Sequence, residues 1–383
     1  IASKEANLRN TLIMRTEIAK EQLIKHQAKV LITSDDRTLN HVMCWIKSAN
    51  DLEIKTILLP FALTHPDVGA FIRRERYQMH INKGEDLAIK SSVAKNFPQA
   101  VYNSKHGAML FYPAKTVKMI DSLGLLPKNP WIQGGGHTKY VLAIGKNDKK
   151  VMVDLGVNPE KIIVAGQCSH DLVYQAMQNK AQIMKYLQSN YQISPSEKLI
   201  VFAVPHMAEI KILPWDKHLK IFAQILTELN KLPAKVVLSL HPRAEVERYT
   251  KLAKNAGIAI LDRPLSEILP AADIFIATHS STVRWAAMCN IPPIILDYDF
   301  GYTFLNDIDG IITIKTPQDI AEAALPLLTN ENTLLETKKK LEESTTKFTI
   351  FDGEATQRAV DLICVDFVSH EEQPKLSDNK YAA

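Results

Sequence analysis

The sequence contains little cysteine and no long apolar run, and both shortages limit the kind of protein it encodes. Its 383 residues include only four cysteines, at Cys44, Cys168, Cys289 and Cys364, and none forms a C-x-x-C pair or falls at a metal-ligand spacing. We therefore expect free thiols and a reducing compartment. No apolar run approaches the roughly 20 residues that a transmembrane helix needs, so a membrane-spanning protein is not expected.

The charge pattern also lacks a strong excess of either sign. The formal net charge is +4, from 46 Lys and Arg against 42 Asp and Glu, and no basic block is combined with aromatic residues. A nucleic-acid partner is therefore not expected. A slight positive excess suits an anionic small substrate or the face of an acidic membrane. The cluster Arg73-Arg74-Glu75-Arg76 is the candidate for such a peripheral contact.

Apolar runs alternate with helix-like segments along most of the chain. The runs are KVLITS, KTILLPF, KYVLAIG and KIIVAG in the first half, and KLIVFAV, KVVLSLHPR, IAILD, IFIAT and PIILDYD in the second. Because most positions in these runs are apolar, we expect strands that are covered on both faces, as in parallel sheets. The sequence therefore predicts an α/β protein with two doubly wound, Rossmann-like domains that face a central cleft.

The polar, proline-containing segment 188–198 marks the predicted domain boundary. We expect an amino-terminal domain over residues 1–192, a carboxyl-terminal domain over 193–350, a helix over 351–367 that crosses back, and a disordered polar tail over 368–383. Single helices are predicted over 170–188 and 282–290, and a short one starts at Ser266 as its N-cap. The chain begins at Ile1, which is expected of a processed chain or of a piece of a larger protein.

Polar side chains follow four predicted strands of the second domain. They are His206 after KLIVFAV, His241-Pro242 after KVVLSL, Asp262 after IAIL, and Thr278-His279-Ser280-Ser281-Thr282 after IFIA. In open parallel sheets, ligands bind beyond the carboxyl ends of the strands. We therefore expect these side chains to converge at one edge of the sheet.

The hydroxyl-rich stretch after IFIA has two interpretations. Ser280, Ser281 and Thr282 precede a predicted helix, where free backbone N–H groups and the helix dipole favour an anion such as phosphate. Alternatively, one of the serines is only the N-cap of that helix. Histidines at the neighbouring strand ends favour the phosphate cradle, because a cap does not need them.

The pair His241-Pro242 likewise has a functional and a structural interpretation. In the first, the imidazole reaches a phosphate or a nucleobase, and Pro242 fixes the direction in which the chain leaves the strand. In the second, His241 is a partly exposed polar residue and Pro242 merely ends the strand. Arg243 is either a second phosphate ligand or a solvated surface charge, and we favour the second interpretation.

These motifs together resemble a known family. The second half resembles the nucleotide-binding domain of GT-B glycosyltransferases in Leu240-His241-Pro242, Pro264-Leu265-Ser266, Ala272-Asp273, Ser280-Ser281 and Ile291-Pro292-Pro293-Ile294. Tyr140–Asp171 resembles the end of their amino-terminal domain and Asp352–Ile363 their final helix, so the resemblance spans most of residues 29–366. More narrowly, the H-P and S-S motifs are similar to those of bacterial sialyltransferases and Kdo transferases.

The resemblance implies a metal-independent glycosyltransferase of bacterial surface-polysaccharide synthesis, located in the cytoplasm or at the cytoplasmic face of the inner membrane. Its donor would be a CMP-activated acidic sugar, such as Kdo or a sialic-acid-like sugar, and its acceptor a glycan or a lipid-linked glycan. No cofactor is expected beyond the nucleotide-sugar substrate. The nucleotide ligands would be His206, His241, Pro242, Ser280, Ser281, Thr282 and Arg284. The D-x-D spacing at residues 297–299 is not expected to bind metal.

The chain also departs from the family. It has Arg284-Trp285 where many GT-B enzymes place an acid that holds the ribose, although Arg284 would instead suit a phosphate. Hydrolysing UDP-sugar epimerases and CDP-glycerol-type glycerophosphotransferases share the framework and stay open as alternatives. A non-catalytic GT-B-like domain that binds nucleotide or recruits partners is the third.

The predicted catalytic residues, Asp35 and Asp36, follow the first strand. A carboxylate there would deprotonate an acceptor hydroxyl in an inverting reaction, or attack the anomeric carbon in a retaining one. The alternative is an Asx turn or N-cap for a helix over 38–48. The loop Gly134-Gly135-Gly136 allows the backbone to approach a ligand closely, or it is simply a flexible loop. The further cleft candidates are Gln133, Gly135, His137, His170, Asp171, Ser266 and His279.

Overall fold

A computed structural model describes residues 2–39, 41–60, 65–278, 280–297 and 308–364. By its internal contacts the chain divides into two compact units. The first unit extends to Cys168 and also includes Phe348–Ile350 and the described residues after Gly353, whereas the second comprises Ser169–Lys347 and Phe351–Gly353. By these contacts, residues 169–192 group with the second unit. The domain boundary predicted after residue 192 stays a prediction.

The secondary structure follows the predicted alternation of strands and helices. In chain order the elements are α1 (Ala2–Lys25), β1 (Val30–Thr33), α2 (His41–Asp51), β2 (Lys55–Leu58), α3 (Pro66–Arg73), α4 (Leu87–Asn96), β3 (Val101–Ser104), β4 (Gly107–Leu110), α5 (Ala114–Ser122), β5 (Tyr140–Ala143), α6 (Lys146–Asp154), β6 (Ile162–Val164), α7 (Cys168–Gln178), α8 (Lys180–Tyr191), β7 (Leu199–Ala203), α9 (Trp215–Leu229), β8 (Lys235–Ser239), α10 (Val246–Asn255), β9 (Ala259–Ile260), α11 (Leu265–Ile268), β10 (Ile274–Ala277), α12 (Val283–Met288), β11 (Pro293–Leu296), β12 (Ile312–Ile314), α13 (Ile320–Thr329), α14 (Glu331–Phe348) and α15 (Ala355–Asp361).

The first unit is built on a parallel sheet with the strand order β1-β2-β5-β6. Its inner strands are buried on both faces, as Ile57 and Leu58 of β2 and Val141 and Leu142 of β5 are fully inaccessible to solvent. The edge strand β1 differs, because Ile32 is 49% exposed. A separate antiparallel pair, β3 with β4, was not predicted.

The last described helix, α15, returns to the first unit, as expected for a chain that crosses back. Its Ala359, with Leu362 just beyond it, packs in one apolar cluster with Ile57 and Leu142 of the sheet. The predicted end of this helix at residue 367 and the tail 368–383 lie outside the described residues. None of the four cysteines forms a disulfide, as expected, and burial raises the pKa of the Cys289 thiol to about 12.

The second unit contains a six-stranded parallel sheet with the order β12-β11-β10-β7-β8-β9. From β7 the chain builds outward through β8 and β9, and then continues on the other side of β7 with β10, β11 and β12. The sheet is therefore doubly wound, with its reversal of strand order between β7 and β10. Its core includes Phe202, Phe222 and Ile276.

Three predicted helices differ from those in the structure. The helix over 170–188 is two helices, because Asn179 leaves helical geometry and its side-chain amide donates to the carbonyl of Gln175 at 2.9 Å. The cap of α11 is Pro264 rather than Ser266, which lies within the first turn. The helix over 282–290 is shortened to α12, since Asn290 has a φ of 57° and ends it.

Candidate functional site

The carboxyl ends of β10, β7 and β8 lie level with one another. In the sheet register Ala277 pairs with Ala203, and Ala203 pairs with Ser239. The residues that follow these strands therefore leave the sheet at one edge, on strands about 4.8 Å apart. Because the strand order reverses between β7 and β10, this edge is the place where open α/β sheets bind ligands.

Two predicted nucleotide ligands are in direct contact at this edge. The rings of His206 and His241 stack with centroids 3.6 Å apart and planes 14° from parallel. His241 Nδ1 accepts a hydrogen bond from the main-chain N–H of Arg243 at 3.0 Å, so a neutral His241 carries its proton on Nε2. Burial lowers the pKa of His241, the Arg243 charge lowers it further, and the Glu209 carboxylate opposes both. The exposed Pro242 follows the ring directly.

The hydroxyl groups after β10 bond to one another. Ser280 Oγ and Thr282 Oγ1 are 2.6 Å apart, and Ser280 Oγ also accepts the N–H of Thr282 at 3.2 Å. Ser280 thus makes a hydroxyl turn ahead of α12, whereas Ser281 is exposed. The N-cap residue of α12 is Thr282, without a side-chain capping hydrogen bond, so neither serine is the N-cap. Thr278 is 1% exposed, and its hydroxyl has no hydrogen-bond partner within the described ranges.

The expected contribution of a helix dipole is not supported by the geometry. Helix α12 has only six residues, too few for an appreciable macrodipole. Any anion at this edge must therefore be held by side chains and loop N–H groups. His279 lies outside the described residues.

Arg284 follows the hydroxyl-rich stretch, and its main-chain N–H donates to the carbonyl of Ser281 at 3.1 Å, but its side chain is buried. It is 6% exposed, and its charge acts on His170, which is 3% exposed, while Asp171 beside it is 7% exposed. Burial and the Arg284 charge lower the pKa of His170 to about 4, against the opposing effect of Asp171. His170 is therefore neutral at pH 7, and these three candidates form one buried polar cluster.

In the first unit, Asp36 anchors a loop. Its side chain is 2% exposed, and its carboxylate accepts hydrogen bonds from Gly134 N at 3.1 Å, Gly136 N at 2.9 Å and Thr138 Oγ1 at 3.0 Å. Burial raises the pKa of Asp36, while the charge of Lys161 and these hydrogen bonds oppose the rise. This geometry is that of a structural carboxylate, because each oxygen is already occupied within the fold.

The neighbouring Asp35 is more accessible. Its carboxylate forms an ion pair with Arg37 Nε at 3.2 Å and accepts the N–H of Thr38 at 2.9 Å, which is the Asx-type turn named as its alternative role. Arg37 also donates to the carbonyl of Trp131 at 3.1 Å. The Asp35 side chain nevertheless remains 21% exposed, which makes it the better placed of the two acids to meet a substrate.

The remaining cleft candidates of the first unit pack against protein. A Cβ on Gly135 would lie 2.0 Å from the carbonyl oxygen of Asn129, so this glycine permits close approach of backbone to backbone. His137 Nε2 is 2.7 Å from the carbonyl oxygen of Leu126. Gln133 is 4% exposed, and its Oε1 has no hydrogen-bond partner in the part of the chain that is described.

The sequence interpretation missed three residues close to the histidine pair. Tyr249 of α10 donates to Glu209 Oε1 at 2.9 Å, and His218 Nε2 of α9 is 2.9 Å from the same hydroxyl. Glu209 lies in the loop after β7, five residues beyond the predicted strand, and its position in the polar stretch was the one available signal. Its partners are distant in sequence, so no spacing could have predicted the network.

The described residues include neither a metal-binding cluster nor a helix suited to crossing a membrane. No group of three or more His, Cys, Asp or Glu side chains is arranged to hold a metal ion among them. The expectation of a metal-independent reaction stays a prediction. None of the described helices combines the length and apolar character that crossing a bilayer requires.

No family model and no curated protein sequence matches the chain. Solved structures with a similar fold include the wall teichoic acid polymerase TagF soaked with CDPG, at 14% identity and TM-score 0.52, covering 89% of this chain and 72% of that chain. The UDP-GlcNAc 2-epimerase from Neisseria meningitidis bound to UDP-GlcNAc is 12% identical, with TM-score 0.55, covering 93% and 82%. The UDP-GlcNAc 2-epimerase from Methanocaldococcus jannaschii, in complex with UDP-GlcNAc and UDP, is 15% identical, with TM-score 0.54, covering 92% and 80%. The expected GT-B fold is thereby confirmed.

Proposed function

We propose that the chain is a nucleotide-sugar-dependent glycosyltransferase of bacterial surface-polysaccharide synthesis. The observation that carries this proposal is the stacked pair His206–His241 at the reversal point of a doubly wound sheet, with the hydroxyls of Ser280 and Thr282 at the adjacent strand end. Histidine and hydroxyl donors at such an edge match the needs of a nucleotide phosphate.

The second unit would hold the leaving nucleotide without a cation. Imidazole N–H and hydroxyl donors stabilise the negative charge that develops on the phosphate as the sugar departs. The donor we propose is a CMP-activated acidic sugar, such as Kdo or a sialic-acid-like sugar. The support for a pyrimidine nucleotide is that proteins of similar fold were solved with CDPG, UDP and UDP-GlcNAc.

Asp35 is the proposed acceptor-side base. Its carboxylate is 21% exposed, whereas Asp36 is 2% exposed and its oxygens accept three hydrogen bonds. A carboxylate of this kind can remove the proton of an acceptor hydroxyl as the glycosidic bond forms. The acceptor we propose is a glycan or a lipid-linked glycan, reached from the cytoplasm or by peripheral contact with the membrane.

A second candidate function is supported by the same structural similarities. UDP-sugar 2-epimerases and a polymerase solved with CDPG have this fold, so a hydrolysing epimerase or a glycerophosphotransferase is the alternative. An epimerase would release UDP from a UDP-sugar with no acceptor present. A glycerophosphotransferase would release CMP only from CDP-glycerol.

The test combines binding with turnover. A thermal-shift series with CMP, CDP, UDP and GDP reports the base preference, because a ligand stabilises the folded state according to its affinity. CMP-sugars, CDP-glycerol and UDP-sugars are then assayed for nucleotide release, each with and without glycan acceptors. We expect CMP to stabilise the protein most and a CMP-sugar to turn over. Stabilisation by a nucleotide with no turnover of any donor would instead indicate the non-catalytic alternative.

A further inference from the structure

A chain of hydrogen bonds in the second unit ends beside the histidine pair. Tyr249 is fully buried, and its hydroxyl donates to Glu209 Oε1 at 2.9 Å. His218 is 2% exposed, with Nε2 at 2.9 Å from the same hydroxyl oxygen. Because a tyrosine hydroxyl has one proton and gives it to Glu209, His218 must be the donor to Tyr249. The network therefore places an acceptor, the Glu209 carboxylate, at its end.

The other oxygen of this carboxylate is not satisfied by hydrogen bonds. Glu209 Oε1 also accepts the main-chain N–H of Glu245 at 3.3 Å, whereas Oε2 is buried and has no hydrogen-bond partner among the described residues. A buried carboxylate with a vacant oxygen is costly unless a nearby positive charge compensates it. The nearby groups able to take up a proton are His218, which already donates to Tyr249, and His241.

The stacked arrangement limits how much charge the histidines can hold. Two imidazolium rings with centroids 3.6 Å apart would repel strongly, so the pair His206–His241 takes up one proton well before a second. Partial burial, and then the charge of Arg243 on the same loop, disfavour even the first proton on His241, while Glu209 favours it. A further negative charge beside the pair would favour the singly charged form.

We infer that Glu209 is a positioning residue whose negative charge makes the His206–His241 pair take up one proton when a nucleotide phosphate binds. This inference rests on the proposed function and adds to it a proton that enters from solvent with the ligand. The phosphate supplies a second negative charge next to the pair, and an imidazolium forms stronger, charge-assisted hydrogen bonds to it than a neutral ring does. No covalent bond is made or broken in this step.

Calorimetric titration with CMP measures the proton directly. At pH 7.5, titrations in two buffers of different ionisation enthalpy give the number of protons taken up for each CMP bound. We expect wild-type protein to take up about half a proton or more, and Glu209→Gln at most half the wild-type value, because an amide provides no charge to favour imidazolium. Gln keeps an oxygen that can accept from Tyr249, so the network itself is retained.

Glu245→Gln is the matched control. The Glu245 side chain is exposed and pairs with Arg248 at 2.6 Å, and its main-chain N–H, which the substitution keeps, donates to Glu209. This variant should take up protons as wild type does. Equal proton uptake by wild type and Glu209→Gln would overturn the inference and leave Glu209 as a purely structural partner of Tyr249.

An NMR titration separates this inference from the proposed function. The imidazole signals of His241, assigned with His241→Gln, are followed against pH in the absence of any nucleotide. We expect Glu209→Gln to shift the titration midpoint downward by about one pH unit, the size expected for losing a nearby opposite charge. If CMP does not bind, the proposed function fails while this shift still supports the charge placement. An unchanged titration midpoint in Glu209→Gln would overturn the inference about Glu209.

Discussion

Replacing Asp36 tests whether this acid is structural or catalytic. In the wild type its carboxylate receives the N–H groups of Gly134 and Gly136 and the hydroxyl of Thr138, at 2.9 to 3.1 Å and out of contact with solvent. Asp36→Asn keeps one acceptor oxygen but places an NH2 group where an N–H must be accepted. Each buried donor left without a partner costs about 1–3 kcal/mol, so we expect the free energy of unfolding to fall by about 2–3 kcal/mol.

Two further variants calibrate this value. Thr138→Val removes one donor of similar size and should cost about 1 kcal/mol, and the double variant should cost less than the sum because both changes affect one network. Asp35→Asn is the neighbouring control, and its partly exposed ion pair should contribute under ~1 kcal/mol.

The assay is thermal unfolding followed by calorimetry. For a unit of this size, a loss of 2–3 kcal/mol should lower the melting temperature of the first unit by about 5–10 °C. An Asp36→Asn protein that melts like wild type yet fails to turn over substrate would contradict the structural role and make Asp36 the catalytic acid.

Three further predictions follow from the geometry. The pKa of His170 is lowered to about 4 by burial and by Arg284, so below about pH 6.5 the unfolded chain binds a proton that the folded chain does not. The free energy of unfolding should therefore fall by about 2 kcal/mol from pH 7 to pH 5. In urea titrations, His170→Gln should flatten this pH dependence. Gly136→Ala should abolish soluble expression, because its Cβ would lie 2.0 Å from a main-chain oxygen. Gly156→Ala is the control, since no atom lies within 4 Å of its Cβ. Its positive φ should lower the free energy of unfolding by only about 1–2 kcal/mol, measured by chemical unfolding. Asp35→Asn should lower kcat by about 100-fold or more, with little change in nucleotide affinity by calorimetry.

Much of the fold was predictable because it depends on local composition. Runs such as YVLA, which becomes β5, are apolar at nearly every position, and such runs are typical of strands that are covered on both faces. The convergence of His206 and His241 followed from the same logic, since parallel strands release their next residues at one edge. The topology of short strand–helix repeats was thus accessible from the sequence.

The roles of individual polar residues were not predictable in this way. Asp36 bonds to Gly134 and Gly136, which lie 98 and 100 positions further along the chain. Glu209 meets Tyr249 from 40 residues away. How many hydrogen bonds a carboxylate at a strand end accepts depends on such distant donors, so the sequence could not distinguish the surroundings of Asp35 from those of Asp36.

The ends of some helices also could not be predicted from the local sequence pattern. Residues 170–188 are apolar at helical spacing throughout, yet Asn179 bonds back to the preceding turn and divides them into α7 and α8. The shortening of the helix after Ser281 to α12 has a similar cause at Asn290. Single side chains with local hydrogen-bonding alternatives decide these ends.

Calorimetric titration of CMP into wild-type, His241→Ala and Ser280→Ala proteins measures whether the edge formed by β10, β7 and β8 binds the nucleotide. Each substitution removes a proposed phosphate donor, so we predict that CMP binds about tenfold or more weakly while the melting temperature is unchanged. The control, His26→Ala, alters an exposed histidine of the first unit and should keep wild-type affinity. Wild-type affinity in both site variants would contradict the placement of the nucleotide at this edge.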